Sequence, residues 1–266
     1  MEKNRIAESF SQLKNENRKG FIPFITAGDP DLRATKDLLL MLAQNGATVI
    51  ELGVPFTDPM ADGVVIQRAS ERALKHNFGI AEILDLVREV RKKTQTPIIL
   101  FSYFNPLLQY GLERLCVDAK EAGVDGFLVT DLVPEEAVEF SNLLRKNSLD
   151  MIFLIAPTSS DERLKMVAER ASGFIYAVSR AGVTGAQEQT SNSAKILVER
   201  IRKFSDLPIA VGFGISKAEH VEETWKYADA AVVGSAIVKK IEESANDENL
   251  VEEVSEFVQN LLPKNN

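Results

Sequence analysis

The sequence predicts a (β/α)8 barrel of the TIM type, carried by one domain over residues 1–266, with an extra helix at its N-terminus. Three observations lead there. Eight short apolar runs recur along the 266 residues, and each is followed by a segment with helical, amphipathic spacing. The runs are apolar throughout rather than alternating, which is the pattern of parallel strands covered on both faces. About 250 residues for eight such units is the usual size of a closed barrel. An open, doubly wound sheet is the competing architecture, and the absence of a Gly-x-Gly-x-x-Gly turn after the first run counts against it.

In chain order, residues 6–17 read as an extra helix, a plug under the barrel floor. The run 21–26, Phe-Ile-Pro-Phe-Ile-Thr, is the first strand and is followed by helix 32–44. Strand 48–52 precedes a helix from Gly63 to Leu74 and another over 81–93. Strands 97–101, 126–130 and 151–155 alternate with helices 112–122, 135–146 and 161–170. Strands 173–178, 208–211 and 230–233 alternate with helix 194–204, helix 217–227 and a short helix opening at Ser235. Helix 250–262 closes the chain. No linker or low-complexity tract divides the series.

Composition narrows the function. The hydrophobic content of 45% fits a full core, and a net charge of −8 argues against a nucleic-acid footprint, which needs a basic face. A small phosphorylated ligand stays possible, because backbone amides and helix termini hold anions locally. Cys116 is the only cysteine, so an internal disulfide is excluded and a reducing, cytoplasmic setting is expected. The first residues carry no apolar core of a signal peptide, and no apolar run reaches the roughly 18 residues that span a bilayer. No membrane partner is expected.

In a barrel of this kind the active site forms where strands end and βα loops begin. Those ends read Thr26-Ala-Gly-Asp29, Glu51, Tyr103-Phe-Asn105, Asp131, Ala156-Pro157, Tyr176 through Arg180, Gly212-Phe-Gly214 and Gly234-Ser235. No lysine stands at a strand end, so Schiff-base chemistry has no nucleophile. His76 and His220 fall in helical segments, so no metal site is expected. Cys116, also helical, has no histidine near it in sequence. Carboxylates and phenols remain as proton carriers.

Glu51 ends an apolar strand and Asp62 lies on the loop behind it, an arrangement suited to general acid–base work. Alone, Asp62 reads better as a cap for the helix starting at Gly63, and a rim ion pair is the lesser reading of Glu51; together beside a phosphate site the two favour catalysis. Asp58 and Pro59 read as loop-shaping or interface residues. Gly212-Phe-Gly214 after strand seven and Gly234-Ser235 before the last short helix form a phosphate site, since glycines admit an anion to backbone amides and a helix N-terminus favours it. Ordinary tight turns, with Ser235 as an N-cap, are the alternative.

Six segments in order carry a family resemblance: Phe21 through Pro30, Glu51 through Gly63, Tyr103 through Pro106, Tyr176 through Gly185, Gly212 through Ile215 and Gly234 through Val238. In these the chain resembles the tryptophan synthase alpha subunits, lyases that cut indole-3-glycerol phosphate into indole and glyceraldehyde 3-phosphate. The resemblance implies that Glu51 and Asp62 are the catalytic acids. It implies that Phe24 and Tyr176 line the indole pocket, and that Gly185, Gly214, Gly234 and Ser235 hold the phosphate. Tyr103, Thr184, Gly212 and Phe213 complete the expected substrate contacts. Val64, where many relatives have proline, and Leu132-Val133-Pro134 depart from the family pattern.

No cofactor is expected in this chain. The resemblance implies a beta subunit that carries pyridoxal phosphate, joined in an alpha2beta2 assembly and met through the loop from Val54 to Met60 and the segment from Phe104 to Leu108. The long loop 179–193, with Arg180, Gly182, Thr184 and Gly185, reads as a lid over the site, or else as a plain surface loop. Two other functions stay open on sequence alone: a phosphate-binding isomerase on the same barrel, and a non-catalytic subunit that activates a partner.

Overall fold

The computed structural model describes residues 4–179, 187–212 and 214–263, and of 187–191 the backbone alone. Eight parallel strands close into a barrel, β1 Gly20–Thr26, β2 Ile50–Gly53, β3 Ile98–Ser102, β4 Gly126–Val129, β5 Asp150–Ile155, β6 Ile175–Val178, β7 Ile209–Gly212 and β8 Ala230–Val233. Each pairs with the next, and β8 returns to β1 with Phe21 opposite Ala231, which excludes the open sheet. The helices are α1 Arg5–Asn15, α2 Leu32–Gln44, α3 Val64–Leu74, α4 Ile80–Arg91, α5 Phe104–Tyr110, α6 Leu112–Ala122, α7 Val138–Lys146, α8 Asp161–Arg170, α9 Gln187–Ile201, α10 Ala218–Trp225, α11 Ser235–Ser244 and α12 Leu250–Leu261.

Local chemistry sets several helix starts. Asn4, Asp31 and Ser160 sit at N-caps of α1, α2 and α8, and each side chain accepts from an amide three residues on, satisfying a donor that the helix itself leaves open. α6 stops at Gly123, whose φ of 91° is left-handed backbone that glycine adopts without strain.

Two apolar layers result. Outside the sheet, Leu38, Leu42, Ile83, Val87, Leu115, Phe140, Val221 and Val254 press helices onto the barrel. Inside it, Ile22, Val49, Ile99, Leu128, Ile152, Phe174, Ala210, Ala230 and Val232 fill the lumen, so the barrel centre is packed rather than hollow. The expected plug is present. Ile6 and Phe10 of α1 belong to this lumen cluster, the Phe10 ring standing 5.9 Å from that of Phe174.

The floor is also tied by charge. Asp125 accepts from Arg5 at 2.5 Å, from Arg91 at 2.9 Å and from the Ile98 amide at 2.8 Å. Burial pulls the Arg91 guanidinium down to about 10, against the opposing pull of Asp125. Among the described residues no helix is long and apolar enough to cross a membrane.

Two elements differ from the sequence expectation. The segment 104–108 is not an exposed loop but part of α5, and its Leu107 is buried against the core. α9 begins at Gln187, so the proposed 179–193 lid loop is helical over its second half.

Candidate active site

Side chains on a strand alternate between lumen and outer helices. Val49 faces the lumen, so Glu51, two positions on, does as well. The sequence placed Glu51 at the open end of its strand. Instead β2 runs on to Gly53, with Leu52 opposite Leu100 and Gly53 opposite Phe101, and Glu51 lies inside it at 1% exposure. Gly53 makes this extension possible, because a Cβ there would meet the Phe24 ring at 2.6 Å. The acid is therefore sunk into the barrel rather than held at its rim.

Phe24 of β1 pairs with Glu51 in register, and its ring packs edge-on to Phe101 at 5.2 Å. Tyr176, buried in the lumen cluster, lies close enough for the Glu51 charge to act on it, and its hydroxyl titrates well above the usual phenol range through burial and that charge. Burial alone holds the Glu51 carboxyl well above the ordinary carboxylate range. Its Oε1 has no hydrogen-bond partner among the described residues, and no ion pair reaches it there, which removes the rim ion-pair reading. Buried carboxylates with no partner are costly, and such atoms concentrate where a ligand completes them.

Asp62 is half-buried on the β2–α3 loop. The N-cap of α3 is Gly63, with no side-chain capping bond, so Asp62 is not a helix cap. Burial raises its carboxyl to about 6, partly offset by a hydrogen bond from the Tyr103 hydroxyl. That hydroxyl also accepts from the Ala61 amide at 2.8 Å and is itself pushed up to about 12, chiefly by burial and then by the Asp62 charge. β2 and the loop after it thus hold two acids in different settings: one enclosed, with an oxygen unpartnered among the described residues, the other half-exposed and hydrogen-bonded.

The glycines separate into different roles. Gly212 makes room for Tyr176, whose hydroxyl stands 2.0 Å from where a Cβ would be. Gly214 has φ 78°, which marks a tight turn after β7. Gly234 has neither reason: its φ is −109°, and a Cβ would meet only Phe24 at 3.5 Å. The empty side of Gly234 leaves an approach open.

Gly234 is the N-cap of α11, and the first internal bonds of that helix run from the Ile237 and Val238 amides to its carbonyl. The amides of Ser235 and Ala236 therefore face out along the axis at the mouth, in the manner of an anion site. Ser235 is exposed and is the first helical residue rather than the cap.

Arg180, Gly182, Thr184, Gly185 and Phe213 lie outside the described residues. His76 sits in the turn after α3 rather than in a helix, its Nε2 2.7 Å from the Pro30 carbonyl, and His220 lies on α10. Cys116 is buried on α6. Among the described residues no group of three or more His, Cys, Asp or Glu could hold a metal.

Sequence reasoning placed Thr26 at a strand end but gave it no role; its buried Oγ1 also lacks a partner among the described residues, and its position shares a face with Ile22 and Phe24. The period-two spacing 22–24–26 was the available signal. It also missed Phe101, which packs on Phe24.

The whole chain matches known proteins. Residues 10–265 match the family model described as tryptophan synthase alpha chain. The tryptophan synthase alpha chain of Solibacter usitatus is 49% identical over 257 residues, covering 97% of this chain and 96% of that one. A crystal structure of tryptophan synthase subunit alpha from Legionella pneumophila superposes with a TM-score of 0.90 at 37% identity, covering 97% of each chain. A structure of the tryptophan synthase a2b2 complex of Pyrococcus furiosus, a study of its mutual activation, contains a chain with a TM-score of 0.85 and 42% identity, covering 91% of this chain and 97% of that one. With its closed barrel and full-length matches, the chain belongs to the tryptophan synthase alpha chain family, lyases of tryptophan biosynthesis.

Proposed function

We propose that Glu51 and Asp62 carry out the retro-aldol cleavage of indole-3-glycerol phosphate to indole and glyceraldehyde 3-phosphate. The observation that supports this most is the Glu51 carboxyl, enclosed in the lumen beside Phe24 and Tyr176 with an oxygen left without a partner among the described residues. Indole is a poor carbanion, so C3 must be protonated before its bond to the side chain breaks. Glu51, held toward its protonated form by burial, delivers that proton. Positive charge then develops toward N1, and Asp62, ionised above about 6, stabilises it through the N1–H.

Glu51, now a carboxylate, removes the proton of the side-chain hydroxyl next to C3. The C–C bond electrons return to the ring, the aldehyde forms, and Glu51 is protonated again. Phe24 and Tyr176 flank the indole, and the Ser235 and Ala236 amides beside Gly234 and Gly214 take the phosphate, with Gly185, Thr184 and Phe213 as further contacts by resemblance.

The same reading extends to assembly. The mouth carries Met60 at 92% exposure and Leu108 at 51%, whereas Val54 and Leu107 are buried beneath them. Rigid, partly apolar segments there suit a protein interface. On this reading a beta subunit docks on 54–60 and α5, speeds cleavage and supplies the pyridoxal phosphate, in line with the mutual activation described for the Pyrococcus furiosus a2b2 complex. The chain works as one domain in the cytoplasm, where the buried, single Cys116 stays reduced.

Incubation with indole-3-glycerol phosphate, alone and with a matched beta subunit, tests this reading. Indole release that rises on adding the partner supports it. A product that retains every carbon points to an isomerase, and no turnover in either state points to a non-catalytic subunit.

A further inference from the structure

Tyr103 touches more of the mouth than a pocket wall needs to. It follows β3 on the lumen-facing positions 99 and 101, and it is the N-cap residue from which α5 starts. Its ring lies 5.2 Å from Phe56, tilted by 35°, and Phe56 belongs to the apolar loop 54–60. The next residue, Phe104, donates its amide to Asp131 at the end of β4 at 2.7 Å, which fixes the start of α5. The Tyr103 hydroxyl accepts from the Ala61 amide at 2.8 Å. A phenol that accepts one bond keeps its own proton to donate. Here it is given to Asp62, one residue further on.

Tyr103 thus joins, by contact or by chain continuity, both apolar segments at the mouth and the loop bearing Asp62. We propose that Tyr103 is a positioning residue that couples the 54–60 loop and α5 to Asp62, so that a subunit docking on these segments sets the aim of the Asp62 carboxylate. The proposal rests on the reading of the mouth as the beta-subunit interface. A partner pressing on Phe56 or shifting α5 moves the phenol ring, and the two bonds of its hydroxyl carry that shift to Ala61 and Asp62. Displacement of about 1 Å at a reacting group is enough to change rate by roughly 10²-fold.

The test is Tyr103→Phe in the full chain, assayed by indole release with and without the beta subunit. This variant keeps the ring and its packing on Phe56 and removes only the hydroxyl. The expected result is a kcat that falls by up to about 10²-fold in the complex, a stimulation by the partner that collapses toward one, and a smaller change in KM. The groups facing the phenol are Asp62 from the loop after β2 and Asp131 from the turn after β4. With burial kept and the phenol bond lost, the acidic limb of the pH profile moves to higher pH.

A double-mutant cycle with Asp62→Asn, run on the chain alone, separates positioning from general loosening: a residue acting through Asp62 adds little once Asp62 is gone. Additive losses, or retained stimulation with only KM raised, would overturn the proposal and leave Tyr103 as a pocket wall. A wild-type chain indifferent to the beta subunit overturns the interface reading itself, while the cycle still decides whether Tyr103 acts through Asp62.

Discussion

At the barrel floor, Asp125 is buried and accepts from two guanidinium groups and a backbone amide. At the mouth, Glu51 is buried more deeply and one of its oxygens accepts from nothing among the described residues. Both are buried carboxylates of one barrel, Asp125 just before β4 and Glu51 within β2. The floor offsets the cost of burial with partners, so its acid helps hold α1, α4 and β3 together. The mouth leaves the cost standing, and burial then favours the protonated form of the acid over the charged one. Stability and chemistry are thus divided between the two ends of one barrel, as the fold allows.

The sharpest way to break this comparison is to change each acid in turn. Glu51→Gln keeps the shape and removes the proton, so indole release should fall by roughly 10²–10⁴-fold. The folded variant should gain stability relative to wild type at alkaline pH. The sign follows from the raised folded-state pKa: wild-type stability is full below the unfolded value and declines as pH climbs through the folded one. Thermal melts from acid to alkaline pH, run on both proteins, check this. Parallel curves would mean that Glu51 titrates normally.

Asp125→Ala should do the opposite. It leaves Arg91 buried without its carboxylate and should cost about 3–5 kcal/mol of stability, read by urea unfolding, while the folded fraction keeps its kcat. A floor substitution that slowed cleavage in fully folded protein would dissolve the division between the two ends.

Within the mouth, the two acids separate by pH. The kcat/KM for cleavage should fall as pH drops below about 6, where Asp62 takes up a proton, and should fall again at high pH as Glu51 loses the one it donates. Asp62→Asn should abolish the acidic limb along with most of the rate. Smaller still is the phosphate end. Gly234→Asp, which adds an anion where the Ser235 and Ala236 amides face outward, should weaken glyceraldehyde 3-phosphate binding, and Ser235→Ala should weaken it less because one donor of several is lost. Calorimetric titration orders the two.

The floor was more legible in the sequence than the mouth. The barrel followed from eight uniformly apolar runs, and the plug from the amphipathic spacing of Ile6 and Phe10. Local patterns carry such information directly. α5 escaped because Asn105-Pro106 reads as a turn, yet proline is tolerated in a first helical turn. The start of α9 escaped because Gln187 through Ser193 has no apolar periodicity to mark a helix. Glu51 and Asp62 stand out in the sequence as a pair in one stretch, but the close approach of Phe24 to Gly53 beside Glu51 comes from another strand. The Tyr103 bond to Ala61 and the close approach of Tyr176 to Gly212 are likewise contacts between neighbouring βα units, for which no sequence spacing exists.

The division between floor and mouth rests on the protonation of a single group. Carbon-13 labelling of the glutamate carboxyls, followed by NMR across a pH titration, observes it directly. One resonance, missing from Glu51→Gln, should titrate well above the ordinary glutamate range while the rest titrate within or below it. If the resonance lost in Glu51→Gln titrates with the others, burial has not set the acid apart, and the account of how this barrel cleaves its substrate is wrong.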